Sequence, residues 1–388
     1  MASPTRNFDF PLWPQFDDTE RAGLIRALEQ GQWWRIGGSE VDRFEEEFAA
    51  YHGAPRALAV TNGTHALELA LDVLGVRPGS EVIVPAFTFI SSSQAAQRLG
   101  AVAVPVDVEP DTYNIDVAAA AAAVTDRTSA IMPVHMAGLL ADMDALAKLS
   151  ADTGVPLLQD AAHAHGALWQ GRRLGELGSI AALSFQNGKL MTAGEGGAVL
   201  FPDAERYEEG FLKHSCGRPR TDRWYVHRTS GSNFRLNEFS ASVLRAQLAR
   251  LDGQIELREQ RWPVLSRALA AVPGVVPQRT DERTTRNPHY MAMFRVPGLD
   301  ERQRNALVED LVRRGLPAFV AFRAIYRSDG FWEHSAPAET LEQIAARCPV
   351  TEELFRDGVW LHHRTLLGTE EQMQHIADVV AEALADRP

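Results

Sequence analysis

Cysteine is nearly missing from this chain: two residues, Cys216 and Cys348, among 388. Two thiols cannot build a disulfide framework. Their scarcity fits a reducing compartment, with a single bridge left open. Positive charge is in deficit, with 39 Lys and Arg against 51 Asp and Glu and a formal net charge of −12. That balance argues against non-specific nucleic-acid binding and leaves room for anionic ligands, which need only local donors. Long apolar runs are missing too. No stretch of about 18 uncharged apolar residues occurs, so no membrane span is predicted. The opening MASPTRNFDFPLWPQFDD has no basic-then-apolar pattern, and no signal peptide is expected. His135, His163, His165, His362 and His363 share no accepted ligand spacing, so no metal site is expected. The rest is an ordinary globular composition, 45% hydrophobic and 23% charged, long enough for two or three domains. A cytoplasmic enzyme or binding protein is the default reading.

Residues 1–20 read as an irregular arm, followed by a helix that stops at Gly31. Ser39 is placed to cap the next helix, VDRFEEEFAAYHG. Apolar strands and helices then alternate: ALAVT, THALELALDVLG, EVIVPAF, SSSQAAQRLG, AVAVPVDV, VAAAAAAV, SAIMPVH, MDALAKLSADTG, VPLLQDAAH and SIAALSFQ. This order predicts an α/β fold whose mainly parallel central sheet is sandwiched by helices, with ligands beyond the carboxyl ends of its strands. The polar segment 204–235 reads as an ordered loop or a cross-subunit segment. A long helix follows, and shorter elements after it predict a smaller α/β C-terminal domain. The expected division is an arm and helix at 1–30, a large domain at 31–253 and a small domain at 254–388.

Three segments carry chemistry. In TNGTHAL, Gly63 lets backbone approach a ligand, Thr64 adds a hydroxyl and a helix N-terminus adds free N–H groups. An anion cup and an ordinary capped turn are equally good readings of it. In LLQDAAHAHGA, Asp160 ends an apolar strand, where a buried carboxylate needs a positive partner such as a pyridinium nitrogen. His163 and His165 follow closely, and taken singly each fits a satisfied polar helix start. In SFQNGKLMTAGEGG, Lys189 follows a strand and precedes a glycine-rich run, and Ser184 can donate to a phosphate. Such a lysine forms a Schiff base if its amine is held neutral, although a surface lysine in a turn is the commoner fate. Together an amine, a carboxylate and an anion cup on one predicted sheet are what pyridoxal 5′-phosphate requires.

The stretches WWRIGGSEVDRFEEEFAAYHG, TNGTHALELAL, VIVPAFTFISS, VPVDVEPDTYNID, IMPVHMAGLLADMD, LLQDAAHAHGA, SFQNGKLMTAGEGG and GSNFRLNEFSASVLRAQL run in the order of one family. The chain resembles the DegT/DnrJ/EryC1/StrS family of pyridoxal-phosphate enzymes, which have the fold-type I aminotransferase architecture. The resemblance implies that Lys189 holds the cofactor and shuttles protons, and that Asp160 pairs with its ring nitrogen. It also implies that Phe89 stacks on the ring with His163 nearby, and that Gly63, Thr64 and Ser184 hold the phosphate. Asn233 would reach that phosphate from a neighbouring subunit, which implies a homodimer. Gln186 departs from the family's usual His in SFHxxK: it keeps hydrogen bonding but cannot titrate. VHMAG likewise stands where VHLYG is usual.

GQWWRIGG, FTFISSSQAAQRLGAV and HSCGRPR fit a branch that makes an aromatic amino acid for ansamycin- and mitomycin-type antibiotics. The implied reaction is dehydration and aromatisation of an amino-dehydroshikimate-like carbocyclic amino acid. Its carboxylate calls for an arginine. Arg218 and Arg220 are the candidates, with Arg35 and Tyr290 as outer possibilities, and Trp33 and Trp34 can wall the site. Transamination of a keto-sugar nucleotide or keto-cyclitol by glutamine or glutamate shares the first steps. A silent cofactor-binding protein is the third reading, and the presence of Lys189 with Asp160 argues against it.

Overall fold

The computed structural model describes residues 8–221, 224–334 and 337–386. The first part of the expected arm, residues 1–7, lies outside them, as do two residues of the polar segment, Asp222 and Arg223. Helices α1 (Asp18–Gln30) and α2 (Glu40–His52) lead into an alternating series. It runs β1 (Arg56–Val60), α3 (Gly63–Val73), β2 (Glu81–Pro85), α4 (Ser91–Arg98), β3 (Val102–Val106) and α5 (Val117–Ala122). Then come β4 (Thr128–Ile131), α6 (Met143–Thr153), β5 (Leu158–Asp160), a short hairpin of β6 (Leu168–Trp169) and β7 (Arg172–Arg173), β8 (Ile180–Ser184) and β9 (Gly197–Phe201).

Strands β1-β9-β8-β5 and β3-β2-β4 form two ladders, and the parallel bridges Ile131–Leu157 and Val134–Asp160 join them. The strands β2, β8 and β9 are buried at every position, as sheets covered on both faces require. Strand β9 runs antiparallel to both β1 and β8. Its first residue, Gly197, therefore pairs with the last residues of both neighbours, Val60 and Ser184. That register gathers the chain after β1, the end of β8 and Asp160 at the end of β5 along one edge.

Two local expectations are corrected. Ser39 sits at the N-cap of α2 but makes no side-chain capping bond. The Glu238 carboxylate caps instead, accepting from the amides of Ser39 (2.7 Å), Glu40 (2.7 Å) and Val41 (3.2 Å). It reaches them because Gly38 has no Cβ, which would collide with that carboxylate. Second, the polar segment is not loop throughout. Helix α7 (Ala204–His214) takes its first third, capped by Asp203, and inserts Tyr207 and Phe211 among the apolar residues of one sheet face. Charged residues on its outer side obscure that stripe in the sequence.

Helix α8 (Glu238–Ala270) is shared between two cores. Ala241, Leu244, Leu251 and Ile255 pack under the large sheet. Trp262, Leu265 and Leu269 pack with the antiparallel sheet formed by β10 (Val276–Pro277), β12 (Met291–Arg295), β14 (Gly358–His362) and β13 (Ala318–Val320), while β11 (Thr284–Arg286) pairs with β6. The helix continues through Pro263, which has no N–H for the preceding turn. Helix α9 (Glu301–Arg313) and the helix Glu370–Ala385 cover the small sheet. No helix among the described residues is long and apolar enough to cross a membrane.

Glu238→Gln replaces two accepting oxygens with one and points an amide donor at backbone donors. The variant is expected to lose about 1–3 kcal/mol, read as a lower urea midpoint.

Candidate active site

A cavity of about 660 Å³ opens at the edge where β1, β5 and β8 end. Asn62 caps α3 by accepting from the His65 amide at 2.8 Å. The amides of Gly63 and Thr64 open that helix and have no helical acceptor. A Cβ on Gly63 would lie 2.6 Å from Ser184 Cβ, and one on Gly197 would lie 2.5 Å from the Asn62 carbonyl oxygen. Glycine at both positions is what lets the helix start press against the ends of β8 and β9. Thr64 Oγ1 donates to Ser91 Oγ at 2.9 Å, and Ser184 lines the same cavity. The capped turn and the cup of hydroxyls and amides coexist: Asn62 does the capping, and Gly63, Thr64, Ser91 and Ser184 form the cup.

Asp160 is buried. Its carboxylate accepts from Ser92 Oγ at 2.8 Å and from the Ala162 amide at 3.2 Å, and it has no ion-pair partner among the described residues. Burial pushes its pKa up, against the pull of these two donors and of Lys189. Ser91 and Ser92 are missed by the sequence reading, which takes SSSQAAQRLG only as a helix. The available signal was a run of hydroxyls opening a helix beside a strand end.

Lys189 is half-buried, with its Nζ 4.5 Å from the centroid of the Tyr290 ring. Burial lowers its pKa to about 8, with Asp160 pulling the other way. The other face of the cavity is aromatic. His163 stacks on Tyr290 at 4.3 Å and lies parallel to Phe322 at 6.2 Å. Burial holds the His163 pKa well below its usual value, so the ring is neutral, and its Nδ1 has no hydrogen-bond partner. Phe89 stands 57% exposed at the mouth. Gln186 also lines the cavity, but its Oε1 accepts from the Gly188 amide at 2.7 Å, which closes the turn leading to Lys189.

The structure leaves other candidates outside this cavity. Arg35 is buried in an ion pair with Glu45 (2.6 Å) and Asp42 (3.1 Å) and is not available to a substrate. Arg220 pairs with Asp42 at 3.1 Å and with the Tyr207 hydroxyl, on another face. Arg218 lies over the Tyr225 ring at 4.5 Å. Asn233 is exposed and bridges to Ser215. Trp33 and Trp34, 52% and 46% exposed, do not wall this cavity within the chain. Tyr290, by contrast, is central to it. Cys216 and Cys348 are free, and among the described residues no group of three or more His, Cys, Asp or Glu is arranged to hold a metal ion.

The residues present fit pyridoxal 5′-phosphate. A buried carboxylate without a cation suits a protonated ring nitrogen, the glycine-lined cup suits a phosphate, and a lysine of lowered pKa suits condensation with an aldehyde. Folded Lys189 releases its proton near pH 8, whereas the unfolded side chain keeps it to about 10.5. Between those values the unfolded chain binds more protons, so this residue's contribution to stability rises with pH. In cofactor-free protein, the stability of the parent relative to Lys189→Met is expected to climb from about pH 8 to 10.5 in thermal melts.

The chain also resembles known proteins over nearly its whole length. The chain is 71% identical over 379 residues to a curated 3-amino-5-hydroxybenzoate synthase of Amycolatopsis mediterranei, covering 97% of this chain and 98% of that one. It superposes on a crystal structure of 3-amino-5-hydroxybenzoic acid synthase with a TM-score of 0.97 at 70% identity, covering 98% of this chain and 100% of the other. An L-glutamine:2-deoxy-scyllo-inosose aminotransferase of Streptomyces paromomycinus is 36% identical over 404 residues, covering 97% of this chain and 94% of that one. The profile of the DegT/DnrJ/EryC1/StrS aminotransferase family matches residues 15–381, and the chain belongs to that family.

Proposed function

We propose that this chain forms 3-amino-5-hydroxybenzoate from 5-amino-5-deoxy-3-dehydroshikimate, removing one water and aromatising the ring, as a step in ansamycin- or mitomycin-type antibiotic biosynthesis. The observation that carries the reading is its near-full-length likeness to a synthase of that product. The enzyme uses pyridoxal 5′-phosphate, which supplies an electron-accepting ring conjugated to the substrate nitrogen. Lys189 takes the proton from the carbon bearing that nitrogen, a role worth about 10²–10⁴-fold in rate. Asp160, steadied by Ser92, holds a proton at the ring nitrogen. Phe89 would stack on the ring with His163 nearby, and Gly63, Thr64, Ser91 and Ser184 would hold the phosphate. Lys189 then returns its proton to the adjacent hydroxyl, which leaves as water, and enolisation completes the aromatic product.

Among the described residues no arginine lines the cavity. This favours a homodimer in which a second copy completes each site, bringing Asn233 to the phosphate and the segment with Arg218 to the substrate carboxylate. The exposed apolar residues Trp33, Trp34, Ile36, Trp224, Tyr225 and Val226 support such an interface. The free thiols suit a cytoplasmic setting.

Incubating the purified enzyme with the amino-dehydroshikimate should give an aromatic ultraviolet spectrum, and Lys189→Ala should give none. Stoichiometric conversion of the bound cofactor to its amine form by glutamine, with no aromatic product from the amino-dehydroshikimate, would favour cyclitol transamination instead. Asn233→Ala and Lys189→Ala are each expected to be inactive alone and to regain partial activity after subunit exchange.

A further inference from the structure

Arg258, on α8, is fully buried and has no ion-pair partner among the described residues. Its Nε and Nη1 have no hydrogen-bond partner among the described residues, and its Nη2 lies 3.1 Å from His363 Nδ1. A buried guanidinium held this way is costly, and such costs persist where they do something else. A guanidinium only donates, so His363 Nδ1 must accept, and the ring proton must sit on Nε2. That nitrogen lies 3.1 Å from the carbonyl oxygen of Gly188, which is the peptide oxygen immediately before Lys189.

The rest of this turn is tied as well. Lys189 N donates to the Gln186 carbonyl at 2.8 Å, and Gly188 N donates to Gln186 Oε1 at 2.7 Å. Trp13, from the N-terminal arm, donates through Nε1 to the Asn187 carbonyl at 3.0 Å. Its ring packs edge-on against His363 and lies 5.6 Å from the Arg258 guanidinium. Contacts from the arm and from His363, itself bonded to the long helix through Arg258, thus converge on this turn.

We propose that Arg258 and His363 are positioning residues that fix the Gly188–Lys189 peptide, with Trp13 as a third tie, so that the lysine amine meets the cofactor aldehyde at a set angle. Arg258 sets the histidine tautomer, and the histidine holds the peptide. This rests on the reading of Lys189 as the cofactor-bearing residue. It also gives Gln186 a role in the turn, where a titrating side chain has no use.

The test begins with borohydride reduction of the parent holoenzyme and peptide mass mapping. Label on Lys189 is expected, and label elsewhere would overturn the site reading and this inference together. Cofactor-free protein is then mixed with pyridoxal 5′-phosphate, and the rate of covalent capture is followed by absorbance. His363→Leu should slow capture on the order of 10- to 100-fold, and His363→Gln, which keeps a donor for the Gly188 carbonyl, should restore most of it. Arg258→Met with His363→Leu removes both polar partners, so its melting temperature should return towards that of the parent while capture stays slow. In that double variant kcat should fall with KM little changed. Parental capture and kcat in a folded double variant would refute the positioning role. Trp13→Phe keeps an aromatic ring at this half-buried site and removes the donor, and a parental melting temperature checks its folding. Slower capture supports the third tie, and a parental rate removes it.

Discussion

A carboxylate buried with no ion-pair partner among the described residues governs this molecule. Asp160 ends β5 in a dry setting, with one hydroxyl and one amide as its donors. Removing a charge from water at that depth opposes folding, and two hydrogen bonds offset only part of it. Its presence is understandable when a positive heterocycle completes the arrangement. The lysine shows the complementary bias, since the same desolvation favours its uncharged form. One cavity thus biases a buried carboxylate and a lysine in opposite directions by the same physical cause.

Much of this was legible in the sequence because strand ends are. Asp160 and Lys189 each follow an apolar run, and covered parallel sheets put such positions on a common edge. The strand–helix series was equally plain, since its apolar runs admit few other readings. The arginines were not legible. Arg35 and Arg220 are cationic and near plausible motifs, yet Asp42, close to one and far from the other in sequence, claims both. Charge partners chosen by folding leave no local trace.

Other misses share that cause. Ser39 has the residue type and place of a cap, but a carboxylate 199 positions away does the work. Helix α7 hid behind its own charges, because its apolar stripe is narrow. Ser91 and Ser92 look like ordinary helix-start serines until β5 is placed beside α4. Tyr290 looked peripheral because it lies 101 positions beyond Lys189, yet the two side chains touch. In each case the short-range pattern was correct and a distant contact reassigned the role.

The proline inside α8 has a mechanical consequence. At position 263 the helical ladder lacks a rung just beyond Arg258, so bending of this long rod concentrates there. Arg258 would stay with the large sheet while His363 travelled with the small one. A swing there would part that pair and loosen the peptide before Lys189.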